Sequence, residues 1–184
     1  YSVLDQAKGI FHPIRELRWH YRSRHESLIS FSNRHFYDDR LIVFPSPTPV
    51  HPKLGVHYEY VDTPAYKGGL NEPEARRLVD VATAYMCRES ASPKAERRSL
   101  AIVTINIRQR DLVQEMLDRH IAFDDRANEY FSHWEGTLEP VIVKNLENIQ
   151  GDERDIIIIS TVYGPEWPGA TVKQRFGPVN SKAG

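Results

Sequence analysis

The stretch V-I-V-K-N-L-E-N-I-Q-G-D-E-R-D-I-I-I-I-S, Val141 to Ser160, joins an apolar strand, a short polar crossover, a glycine turn and a second apolar strand. The second run, Asp155 to Ser160, is apolar and β-branched on consecutive positions. That pattern predicts a strand covered on both faces in a parallel sheet. Gln150, Gly151, Asp152, Glu153 and Arg154 crowd the junction. The reading places them at a strand's carboxyl end, where the loops of open parallel α/β sheets converge on a crevice that binds ligands. The plain alternative is an ordinary loop whose charges are only solvated.

Working outward, strand and helix patterns alternate. Tyr1 to Phe11 reads as a connector (residues 1–13 in all) and Ile14 to His20 as a short strand or extended lead. Ser23 with Glu26 three residues later predicts a capping box opening a helix through Leu28, Phe31, His35 and Phe36. Pro45, Pro47, Pro49 and Pro52 mark a semi-extended loop over 45–53. Val56 to Val61 alternates as a strand does, ahead of a Gly68-Gly69 turn. Asn71 and Glu74 form a second capping box before a helix carrying Leu78, Val79, Ala82 and Met86. Lys94 to Arg98 reads as a solvated loop, Leu100 to Ile105 as a buried strand, and Gln109 to His120 as an amphipathic helix with Leu112, Val113, Met116 and Leu117 inward. Such an order predicts βαβ units, hence a parallel sheet with helices on both faces in three layers.

Composition agrees with one compact domain over residues 1–184. The chain is 40% apolar and 27% charged, enough for a real core. No apolar run reaches the roughly 18 residues of a membrane helix, so no membrane and a cytoplasmic location are expected. The one cysteine, Cys87, cannot form an internal disulfide and is expected to pack rather than react. With 24 basic and 25 acidic side chains there is no global basic field, so any nucleic acid would use a local groove. Neither G-x-x-x-x-G-K-S/T nor G-x-G-x-x-G occurs, so the chain has no phosphate-cradling loop of its own.

The Q-G-D-E run between the two strands resembles motif V of superfamily 1 helicases, and Leu17 to Tyr37, L-R-W-H-Y-R-S-R-H-E-S-L-I-S-F-S-N-R-H-F-Y, resembles motif IV. The nearest likeness is to the nonsense-mediated-decay-type helicases and their large bacterial relatives, in which motif V reads V-K-N-L-E-N-(V/I)-Q-G-D-E-R-D. The resemblance spans nearly the whole chain. It implies a second RecA-like domain, with the P-loop-type α/β fold, which closes over an ATP held mainly by a first RecA-like domain elsewhere in the polypeptide. Magnesium would likewise be held there, and no metal site is expected in this chain. The final stretch, Arg175 to Gly184, matches what precedes motif VI in the bacterial relatives. The expectation is a fragment truncated before motif VI and inactive alone, within an active ATP-dependent helicase.

The resemblance also implies roles. Arg22 matches the motif IV arginine that reaches the γ-phosphate, a fork of donors suited to spreading phosphoryl charge. Glu153 matches the motif V glutamate near the nucleotide, and an acceptor-only carboxylate suits ribose hydroxyls. Gly151 permits the turn that presents it, and Gln150 lies between the nucleotide side and the nucleic-acid side. Arg22 and Glu153 are thus the expected catalytic pair, with Gln150 and Gly151 beside them in nucleotide binding. Asn145 stands where many relatives carry a Ser or Thr touching the nucleic-acid backbone. Thr104, Asn106 and Arg108, at a strand end and the following helix start, suit phosphate contacts to single-stranded DNA or RNA. Arg24 and His25 depart from the usual M-H-P ending of motif IV and are assigned only capping and solvation. Two rivals remain: a non-catalytic binding module on the helicase scaffold, and a nuclease using Asp152, Glu153 and Asp155, which lacks a following catalytic lysine.

Overall fold

A computed structural model describes residues 2–48 and 54–172. Pro49, Pro52 and the segment from Arg175 to Gly184 lie outside the described residues. Where the composition suggests one domain, the chain groups into two compact units, residues 1–59 and 60–184. Each is built differently.

In the first unit, α1 (Val3–Ile10) replaces the expected connector. Ser2 accepts from the Asp5 amide while Asp5 accepts from the Ser2 amide, a reciprocal cap that the sequence reading passed over. β1 (Trp19–His20) pairs in parallel with β2 (Ile42–Val43), and α2 (Ser27–Phe36) lies between them in sequence. The expected Ser23 capping box does not form. His20 Nε2 accepts the Ser23 amide and lies 2.7 Å from its hydroxyl, so Ser23 is engaged before the helix begins. His25 takes over instead: its Nδ1 accepts the Ser27 amide at 3.2 Å and its Nε2 meets Thr48 O at 3.2 Å. Among the described residues of this unit, His25 alone is buried.

The second unit opens with a hairpin, β3 (Tyr66–Lys67) and β4 (Leu70–Asn71), around Gly68 and Gly69. Both glycines have positive φ, at 57° and 87°, the conformation that tight hairpins demand and side chains resist. The strand expected over Val56–Val61 is absent, because alternation without a partner strand leaves the backbone unpaired. α3 (Glu72–Ser90) then buries Ala75, Leu78, Val79, Ala82, Tyr85, Met86 and Glu89, one stripe at spacings of three and four. Its terminus corrects the solvated-loop reading of 94–98. Buried Arg97 donates to Ser90 O and Ser92 O and pairs with Glu129 at 2.9 Å, while Arg98 donates to Glu89.

Among the described residues three parallel strands form the main sheet, in the order β6 (Ile142–Asn145), β5 (Leu100–Thr104), β7 (Ile156–Ser160). α4 (Ile107–Phe123) follows β5, and α5 (Asp125–Trp134) follows α4. Helices flanking a parallel sheet make this the RecA-like α/β class expected from the sequence. α3, α4 and α5 pack on one another and, with β5 and Val143, enclose one core centred on Met86, Leu100, Ile102, Val113, Leu117 and Tyr130. Tyr85 and Tyr130 both donate their hydroxyls to Arg98 O, and burial holds both phenols protonated well above their ordinary range. β7 departs from expectation. It is an end strand whose Ile156 and Ile158 meet the core while Ile157 and Ile159 stay 45% and 59% exposed.

Candidate functional site

The polar crossover after β6 does not gather at one end of the sheet, as the sequence suggests. Asn145 closes the carboxyl end of β6, where its Oδ1 accepts from Asn148 at 2.6 Å. The chain then turns through a 3-10 turn, Leu146–Asn148, and runs back along the sheet. Lys144 Nζ grips Asp152 at 2.6 Å, Arg154 donates twice to Pro140 O just ahead of β6, and Asp155 accepts from the Ser99 amide and hydroxyl just ahead of β5. A parallel crossover this short has no room for a helix, so side chains anchor it.

These anchors bracket Glu153. Gly151 has φ +89°, the left-handed region, and the Asp152 amide donates to Ile149 O to close the turn. Asp152 on one side is tied to Lys144, and Arg154 on the other donates to the Glu153 carbonyl as well as to Pro140 O. Gln150 and Glu153 are exposed on the surface of this fixed loop. Arg22 is exposed as well, and belongs to the 1–59 unit, so the structure describes it apart from the loop.

The carboxyl edge carries a second arrangement. Asn145, Thr104 and Ser160 stand in register across the three strands, one polar row ending an apolar sheet. All three are buried. Thr104 donates its hydroxyl to Asn106 O. Asn106 caps α4 by accepting the Gln109 amide at 2.9 Å and donates to Gly69 O at 3.0 Å, while Arg108 donates to Gly68 O at 2.6 Å. Thr104, Asn106 and Arg108 therefore hold the glycine hairpin onto the start of α4. Of the residues named from the sequence, Gln150, Gly151 and Glu153 come together on one loop, and Asn145 and Thr104 in one row.

From the sequence Gln109 opens the helix and, with Arg108 and Arg110, adds donors for a phosphate; its buried pairing was missed. Wholly buried, it accepts the Asn71 amide and donates to Asn71 O, and it lies 3.4 Å from the Ser160 hydroxyl. A glutamine on the inward stripe of an amphipathic helix was the available signal. Glu74 was read as half of a capping box; the Asn71 side chain does accept the Glu74 amide, but the Glu74 carboxylate turns instead to Ser160 and Val162. Cys87 fits the packing role: burial, and then its hydrogen bond to Asp124, push the thiol up, away from the thiolate a nucleophile needs. Among the described residues no group of three or more His, Cys, Asp or Glu is gathered to hold a metal, and no helix is long and apolar enough to cross a membrane.

Residues 2–172 match the AAA domain family. The chain belongs to that family. This AAA domain is also 29% identical, over 189 residues, to an uncharacterised ATP-dependent helicase of Mycoplasma genitalium, and 29% identical over 190 residues to its homologue in Mycoplasma pneumoniae. Each match covers the whole chain and 15% of the relative's length. The helicase likeness read from the two motifs is thereby borne out. No solved structure matches the AAA domain significantly.

Proposed function

We propose that this AAA domain is the second RecA-like domain of a superfamily 1 helicase, completing an ATP site against a P-loop-bearing first domain of the same polypeptide and gripping single-stranded DNA or RNA. The observation that carries the reading is the anchored loop at 150–155, which exposes Gln150 and Glu153 on a turn fixed by Lys144, Ser99 and Pro140 O. Binding residues on a loop held by a rigid scaffold are what a nucleotide contact requires. The match to helicase relatives over the whole chain supports it from outside.

The donor set fits a nucleotide in part. Glu153 offers only acceptors, suited to ribose hydroxyls, and Gln150 offers both kinds of group beside it. Arg22 supplies a permanent positive charge for phosphate oxygens. Bound ATP would supply the phosphoryl group; this chain's residues orient it and balance its charge. Mg²⁺ is assigned to the first domain, as the helicase resemblance implies. The polar row of Asn145, Thr104 and Ser160 marks the sheet edge proposed for the strand, with little base specificity and marked salt dependence. A cytoplasmic protein, inactive as this domain alone, follows from the same reading.

ATP hydrolysis by the full-length protein, with and without single-stranded DNA or RNA, tests this. Strand-stimulated turnover should fall by about 10³-fold or more in Arg22→Ala. Glu153→Gln should raise the KM for ATP. A folded full-length protein with no turnover would replace the motor by a non-catalytic binding module.

A further inference from the structure

Val162, in the turn after β7, is held in a constrained conformation. A buried, β-branched side chain sits there at φ +70°, a conformation that such residues avoid. It persists only where the surroundings over-determine it. Here they do. The Val162 amide donates to Glu74 Oε1 at 3.0 Å, the Val162 carbonyl accepts from Asn71 Nδ2 at 3.1 Å, and the preceding Ser160 hydroxyl donates to the same Glu74 oxygen at 2.9 Å. Asn71 is itself immobilised, because buried Gln109 pairs with both its backbone groups. The first turns of α3 and α4 thus close on the turn after β7. Glu74 is well placed for this, since the unpaired amides of a helix start favour a carboxylate.

What this turn presents lies outward. Thr161, between clamped Ser160 and Val162, is exposed one residue beyond the polar row. Tyr163 then meets Tyr66 of the hairpin with the ring centroids 5.5 Å apart and the planes tilted by 48°, and the Tyr66 amide donates to Pro165 O. We infer that Glu74 is a positioning residue for strand binding: by accepting from Val162 and Ser160 it holds the turn after β7 in its left-handed form and so sets where Thr161 and Tyr163 meet the nucleic-acid backbone. Glu74 makes no contact with the strand itself. The inference rests on the grip proposed above for the carboxyl edge.

Two substitutions separate reach from charge. Glu74→Gln keeps an oxygen at the same distance and loses the charge; Glu74→Asp keeps the charge and falls short. In the full-length protein, Glu74→Gln should match wild type in affinity for a single-stranded oligonucleotide. Glu74→Asp should bind about tenfold more weakly, the loss expected when a buried donor is left without its acceptor, with faster amide exchange at Val162 and an unchanged KM for ATP. Unchanged strand affinity in Glu74→Asp would overturn the inference, and so would a Glu74→Gln variant as impaired as Glu74→Asp. If wild type binds no strand, the grip itself fails and this inference with it; wild-type binding beside an unaffected Glu74→Asp defeats the positioning role alone.

Discussion

Gly151 shows how one backbone angle governs the candidate nucleotide loop. An added Cβ at Gly151 meets nothing within 4 Å, so space does not require glycine there. The φ of +89° does. Gly151→Ala should therefore cost about 1–2 kcal/mol through backbone strain alone. Measured by urea denaturation, a loss near zero would mean that the loop can relax to another turn. Such relaxation would also strain the Lys144–Asp152 ion pair, whose partners are 36% and 24% exposed and which stands one residue away. The motif spelling made Gly151 and Glu153 legible. It could not reveal Lys144 as an anchor, because an ion pair across eight residues depends on how the loop runs back, and that is set by the sheet.

At the scale of elements, β5 and β7 are both apolar runs, yet they occupy different environments. Central Ile102 is fully buried, whereas Ile157 on the end strand is 45% exposed. Ile102→Ala should cost about 3 kcal/mol and Ile157→Ala less than about 1 kcal/mol in denaturant midpoints. Equal losses would mean that the outward face of β7 is covered. The pattern Ile-Ile-Ile-Ile shows a strand but not its neighbours, and so it predicted cover on both sides. Long elements were legible for the converse reason. The stripe through Leu78, Val79, Ala82 and Met86, and that through Val113 and Leu117, repeat often enough to fix the buried face. Short ones were not: α1 and α2 bury no residue among those described, so their starts turned on local caps that compete, as His20 competes for Ser23.

For the molecule as a whole, the division at residues 59 and 60 leaves the hydrophobic core of the described residues in the second unit, from Ala75 to Ile158. A chain beginning at residue 60 should keep a cooperative thermal transition, because no core side chain is lost with the first unit. Gradual melting without a transition would show that residues 1–59 complete the fold. The strand order adds a consequence for biosynthesis. β5 is the central strand, and both of its partners lie later in the sequence, beginning at Ile142 and Ile156. At about 5–20 residues per second, a ribosome needs roughly two to seven seconds to make residues 105–141. Throughout that interval Leu-Ala-Ile-Val-Thr lacks both of the strands that pair with it in the finished sheet. The middle of the finished sheet is thus, on the ribosome, its most adhesive segment, and the nascent protein's need for a chaperone should be greatest before residue 142 emerges.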